Sequence, residues 1–80
     1  MTDKFLTMIK NYANNEWFYD MPINDDIRLD TDWNADSLDR SILAMEIEKN
    51  YNIEFDSKDF YNEDGSFRTL KEIDNFIQSK

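Results

Sequence analysis

Ser37 lies between Asp36 and Leu38 in the stretch NADSLDRSILAMEIEKNY, Asn34 to Tyr51, where a strongly helical pattern begins. Two uses compete for its hydroxyl: capping the helix start, as Ser and Asp do at many helices, or serving as a point of covalent attachment. Little else in the chain could do chemistry. There is no histidine and no cysteine among the 80 residues, which removes the usual general base near neutral pH and the Ser-His and Cys-His nucleophilic pairs. A G-x-S-x-G elbow and a Gly-rich phosphate loop are also missing. The 18 acidic residues make chance carboxylate pairs unavoidable, so no pair stands out as an acid/base couple. A self-contained enzyme is not expected.

A second pattern overlaps the first. In DTDWNADSLDRS, Asp30, Asp32, Asn34 and Asp36 occupy the first, third, fifth and seventh positions of a calcium loop. The pattern then fails where the geometry is strictest: Ala35 replaces the sixth-position Gly, and Ser41 replaces the bidentate Glu at the twelfth. A dedicated metal site is not expected, and a calcium-binding protein is kept only as an alternative.

The elements that would position Ser37 follow from periodicity. Phe5, Ile9 and Tyr12, with Leu6 and Ala13 beside them, repeat as one face of a helix from about Asp3 to Asn14. From Glu16 to Ala35 the pattern breaks into a long loop rich in Asp and Asn, pinned by Ile23, Ile27, Leu29 and Trp33; loops of this length are usually functional or poorly ordered. The second helix starts at Asp36 or Ser37 and runs to about Asn50, with two apolar stripes. Leu43, Ile47 and Tyr51, beside Ala44, form one; Leu38, Ile42 and Met45 form the other. Only one is needed for packing, so the second covers the loop or meets a partner. Asp56 opens a short helix through Phe60 or Tyr61, NEDGS is a turn, and the capping box of Thr69 and Glu72 opens a last helix with Leu70, Ile73, Phe76 and Ile77 on one face. Three longer helices and one short one give an all-α fold, a small four-helix bundle with a long loop between helices one and two. Residues 1–80 form a single domain.

A net charge of −9 repels phosphate backbones and anionic lipid, so neither nucleic acid nor membrane is an expected partner, while basic protein surfaces are. The N-terminal residues carry no signal-peptide pattern and no apolar run spans a bilayer. A cytoplasmic monomer is the expectation.

Asp36-Ser37-Leu38 at a helix mouth, after a long loop and before an acidic amphipathic helix, resembles the acyl carrier protein family. That family's Leu-Gly-x-Asp-Ser-Leu sequence marks attachment of 4′-phosphopantetheine to the serine. Trp33 stands for the Leu and Asn34 for the Gly; Asp36, Ser37 and Leu38 match outright. Asn is the mildest replacement where a left-handed conformation is required. Asp39, Leu43, Met45, Ile47, Glu48 and Tyr51 also fall on the family's second-helix pattern, and the order of elements covers the chain. The resemblance implies a non-catalytic carrier that holds acyl or aminoacyl groups as thioesters on an arm at Ser37. A phosphopantetheinyl transferase would load the arm from coenzyme A, and acyl-transfer enzymes with basic patches would read Asp36, Leu38, Asp39, Ile42, Met45, Glu46 and Glu48. Fatty-acid, lipid, D-alanyl and secondary-metabolite pathways all use such carriers. Ile42 replaces a commonly acidic residue, Arg40 adds a cation one turn from Ser37, and the segment from Phe55 to Thr69 is longer than usual. These differences imply a specialised carrier with partners of its own. An interaction module of the same fold, left unmodified, is the other alternative.

Overall fold

The computed structural model describes residues 1–80 as three α-helices: α1 (Asp3–Asn15), α2 (Ser37–Tyr51) and α3 (Leu70–Gln78). Each begins where a side chain takes over an unpaired backbone donor, because the first N–H groups of a helix have no partner within it. Thr2 Oγ1 accepts from Phe5 N at 3.3 Å, Asp36 Oδ1 from Asp39 N at 2.9 Å, and Thr69 Oγ1 from Glu72 N at 3.2 Å. The expected capping box at Thr69 is closed in both directions, with Glu72 Oε1 accepting from Thr69 N at 2.9 Å. No helix is long and apolar enough to cross a membrane.

The buried stripe of α1, comprising Phe5, Met8, Ile9, Tyr12 and Ala13, meets Leu43, Ala44 and Ile47 of α2 and Leu70, Ile73 and Ile77 of α3 in one core. The long loop closes that core rather than hanging from it. Ile27, Leu29 and Trp33 are buried, and Trp33 stacks on Phe18 with ring centroids 5.4 Å apart while its indole N–H donates to Pro22 O at 2.9 Å. Ile23 packs against the core only in part. Loop carbonyls also serve α3: Leu70 N donates to Ile27 O at 2.8 Å and Lys71 N to Asp25 O at 3.2 Å. The start of α3 is therefore completed by the loop.

The fold departs from the expected four-helix bundle. The short helix after Asp56 is a single 3-10 turn, Ser57–Phe60, tighter than an α-helix and used in short pieces. It stops because Tyr61 is extended and forms an isolated antiparallel bridge with Phe67 around a turn in which Gly65 takes φ +88°. Arg68 N to Phe60 O at 2.7 Å and Asn62 N to Ser66 O at 2.7 Å hold that turn. What the segment contributes is aromatic packing. Phe55, Phe60 and Phe67 lie with successive centroids 5.0 and 5.7 Å apart, and Phe76 of α3 adds an edge contact at 5.8 Å to Phe55.

One carboxylate is inside. Asp74, on α3 between Ile73 and Ile77, is only 2% exposed. It accepts from Thr2 N at 2.6 Å, from Thr2 Oγ1 at 3.1 Å and from Gln78 Nε2 at 3.2 Å. Thr2 thus caps α1 with one lone pair and donates its proton to α3, which fastens the two ends of the chain. Hydrogen bonds to a charged group contribute about 1.5–3 kcal/mol each. Asp74→Ala is expected to lower unfolding free energy by about 2 kcal/mol and Tm by roughly 8–16 °C, scaled from the behaviour of small domains, with Asp74→Asn intermediate. Thermal melts that coincide for all three proteins would show the contact to be idle.

Candidate functional site

Asp36, not Ser37, caps α2. Its carboxylate holds Asp39 N, and Asp39 Oδ2 reaches back to Asp36 N at 3.1 Å, so both directions of the capping box are closed. Ser37 is the first helical residue; it is exposed, and its Oγ makes no hydrogen bond within the chain. Its carbonyl accepts from Ser41 Oγ at 2.9 Å. The N–H groups of Ser37 and Leu38 also have no acceptor in the chain. A free hydroxyl beside two free donors at a helix N-terminus suits an anionic ester.

The turn leading to Ser37 is held from three sides. Trp33 is buried at its base, Ala35 N donates to Leu29 O at 2.9 Å, and Arg40 Nη1 donates to Ala35 O at 2.9 Å. Asn34 adopts φ +56°, the left-handed conformation that Asn tolerates better than most residues. Arg40 is therefore occupied: besides Ala35 O, its guanidinium lies 5.5 Å from the Phe67 ring. Across the core, Tyr12 Oη donates to Asp39 O at 2.7 Å, tying the first turn of α2 to α1.

The other residues expected to meet partners do not share one face. Leu38 and Met45 are 68% and 66% exposed and form an outward apolar pair on α2. Ile42 is half-buried and lines, with Met8, Asn11, Tyr12, Glu46 and Asn50, a groove of about 140 Å³ between α1 and α2. Asp36 and Asp39 use their carboxylates on the cap. Glu48 turns the other way, its Oε2 accepting from Phe55 N at 3.1 Å.

The residues of the calcium-like pattern do not converge. Asp30 Oδ1 accepts from Thr31 N at 2.8 Å, Asp32 Oδ2 from Arg28 N at 2.7 Å, and Asp36 serves the cap. No group of three His, Cys, Asp or Glu side chains is placed to hold a metal ion.

Tyr12 was legible as core but not as a positioning residue. The available signal was a hydroxyl on an otherwise apolar stripe, since a buried tyrosine needs a partner for its O–H. Burial, then the negative charges of Asp39, Glu16 and Asp36, raise its pKa well above the ordinary value near 10. In the unfolded chain the phenol ionises near pH 10; in the fold it stays protonated. Its stabilisation is complete below that pH and is lost as pH rises toward the folded value. Tyr12→Phe is expected to cost about 1 kcal/mol at neutral pH and to flatten part of the decline in urea midpoint above about pH 10. An equally steep alkaline decline in the variant would contradict this assignment.

No protein-family model, curated protein or solved structure matches the chain.

Proposed function

We propose that the protein is a carrier of the acyl carrier type, non-catalytic itself, with 4′-phosphopantetheine joined to Ser37. The observation that carries this reading is the division of labour at the start of α2: Asp36 does the capping, and the Ser37 hydroxyl is left exposed without a partner. A serine used as a helix cap would have its oxygen committed to the backbone. Here the serine is superfluous to the fold, which is the condition for giving it away to a modification.

The surrounding residues fit the group. Asn34 takes the left-handed conformation at the position where the family's motif has Gly, and Trp33 is buried where it has Leu. The Ser37 and Leu38 N–H groups and the α2 dipole favour the negative charge of a phosphodiester. When bound, the arm supplies the thiol that carries an acyl or aminoacyl group as a thioester. Absence of His and Cys from the chain agrees with this role, because a transferase provides the base and the arm provides the thiol. In this reading the 3-10 turn at Ser57–Phe60 stands in for the family's short helix, making a reduced version of the four-helix arrangement.

Partners would be a phosphopantetheinyl transferase and acyl-loading or acyl-transfer enzymes with basic patches, met by a cytoplasmic monomer. A net charge of −9 speeds such encounters, and Leu38 and Met45 supply outward apolar contacts beside Ser37. Fatty-acid, lipid and secondary-metabolite synthesis are the settings in which this chemistry is used.

Incubation with coenzyme A, magnesium and a broad-specificity phosphopantetheinyl transferase is expected to add one arm per chain by intact mass. Peptide mapping should place it on Ser37, and Ser37→Ala should take none. A chain that several such transferases leave unchanged would instead be an interaction module that keeps the fold without the modification.

A further inference from the structure

We infer that Trp17 and Tyr19 form a docking site for an arginine-bearing segment of a partner protein, separate from Ser37. The two rings are 81% and 63% exposed, with centroids 6.4 Å apart and planes inclined at 57°. Large apolar groups so exposed are rarely left without use when they sit side by side.

The backbone that presents them is unusual. Phe18 N donates to Ala13 O at 2.8 Å, the wrapping bond that ends α1, and this requires a left-handed residue at position 17. Glycine is the ordinary occupant of such a position. Trp17 sits there at φ +69°, a conformation unfavourable for a bulky side chain. The same turn sends Phe18 inward, against Tyr12 and Trp33, with centroids 6.1 and 5.4 Å away. Nothing in the fold gains from Trp17 itself.

Charge selects the occupant. The chain's own cations already cover other rings: Lys4 lies over Tyr51, Arg40 over Phe67, and Arg68 and Lys80 over Phe76. None covers Trp17 or Tyr19. Glu16 and Asp20 flank the pair in the chain, and Glu16 lines the α1/α2 groove together with Glu46. An open indole face with an acidic residue on either side of the aromatic pair in the chain, on a protein of net charge −9, fits a guanidinium, which stacks on aromatic rings and pairs with carboxylates. A flanking basic residue would meet Glu16 and Glu46 at the groove.

The site does not rest on modification of Ser37, so Ser37→Ala should leave it intact. The probe is a capped tetra-arginine peptide titrated into the isotope-labelled full chain and followed by the two indole N–H resonances and by the backbone amides of residues 16–20, which report binding in variants that lack Trp17. The Trp17 signal should shift and saturate while that of Trp33, which donates to Pro22 O, stays still. Trp17→Gly should weaken binding roughly twofold to fivefold, the range of a cation–π contact at an exposed ring, with an unchanged or higher Tm because glycine accepts the left-handed conformation freely. Tyr19→Ser should weaken it in the same direction. Three results would overturn the assignment: unchanged affinity in Trp17→Gly, an equal Trp17 shift from a polyamine, or a lower Tm in Trp17→Gly, which would make Trp17 a packing residue.

Discussion

The arrangement around Ser37 depends on the reciprocal pair between Asp36 and Asp39. Two backbone donors at the mouth of α2 are satisfied by two carboxylates, and the neighbouring hydroxyl is thereby left without a structural task. The pair also fixes where the helix begins, because the first turn cannot slip by a residue without losing both bonds. Tyr12 and Arg40 then fasten this turn to the rest of the molecule, one from α1 to the Asp39 carbonyl and the other back to Ala35. The exposed Ser37 hydroxyl therefore sits on a turn held in place by the backbone carbonyls of Ala35 and Asp39 at either side of it.

The same economy runs through the fold. Without cysteine there is no covalent staple, and a domain of this size buries a limited core. Polar ties at element ends make up part of the difference: Asp74 joins the cap of α1 to α3, and loop carbonyls from Asp25 and Ile27 complete the start of α3. The long segment between α1 and α2 therefore acts as a structural layer. Its aromatic members face two ways, Phe18 and Trp33 into the core and Trp17 and Tyr19 into water.

Periodicity and capping residues made the three α-helices legible, since the apolar stripes of α1 and α3 are regular and Thr69 with Glu72 announces a helix start. The anchors Ile27, Leu29 and Trp33 could also be picked out, as large apolar residues stranded in a polar loop. The 3-10 turn reads as a helix in the sequence because four residues carry too little pattern to separate the two, and what decides between them is the extended Tyr61 and its bridge to Phe67 across the Gly65 turn. Asp74 and Tyr12 were hidden for a related reason. Their roles are set by Thr2 and Asp39, partners far along the chain that no local pattern names. Asp36 and Ser37 were equally good caps by residue type, and backbone geometry alone chose between them. The left-handed turn at Trp17 carried no signal, because residue preference there points to glycine.

At this helix start Asp36 carries the fold, and the Ser37 hydroxyl carries none of it. Urea unfolding of Asp36→Ala and Ser37→Ala beside the unaltered chain tests it directly. Asp36→Ala is expected to lose about 1 kcal/mol, the usual consequence of removing a cap, and Ser37→Ala to change stability by no more than about 0.5 kcal/mol, as for an uninvolved surface residue. The opposite order, with Ser37→Ala the more damaging, would make the serine the cap and contradict the assignment of that role to Asp36.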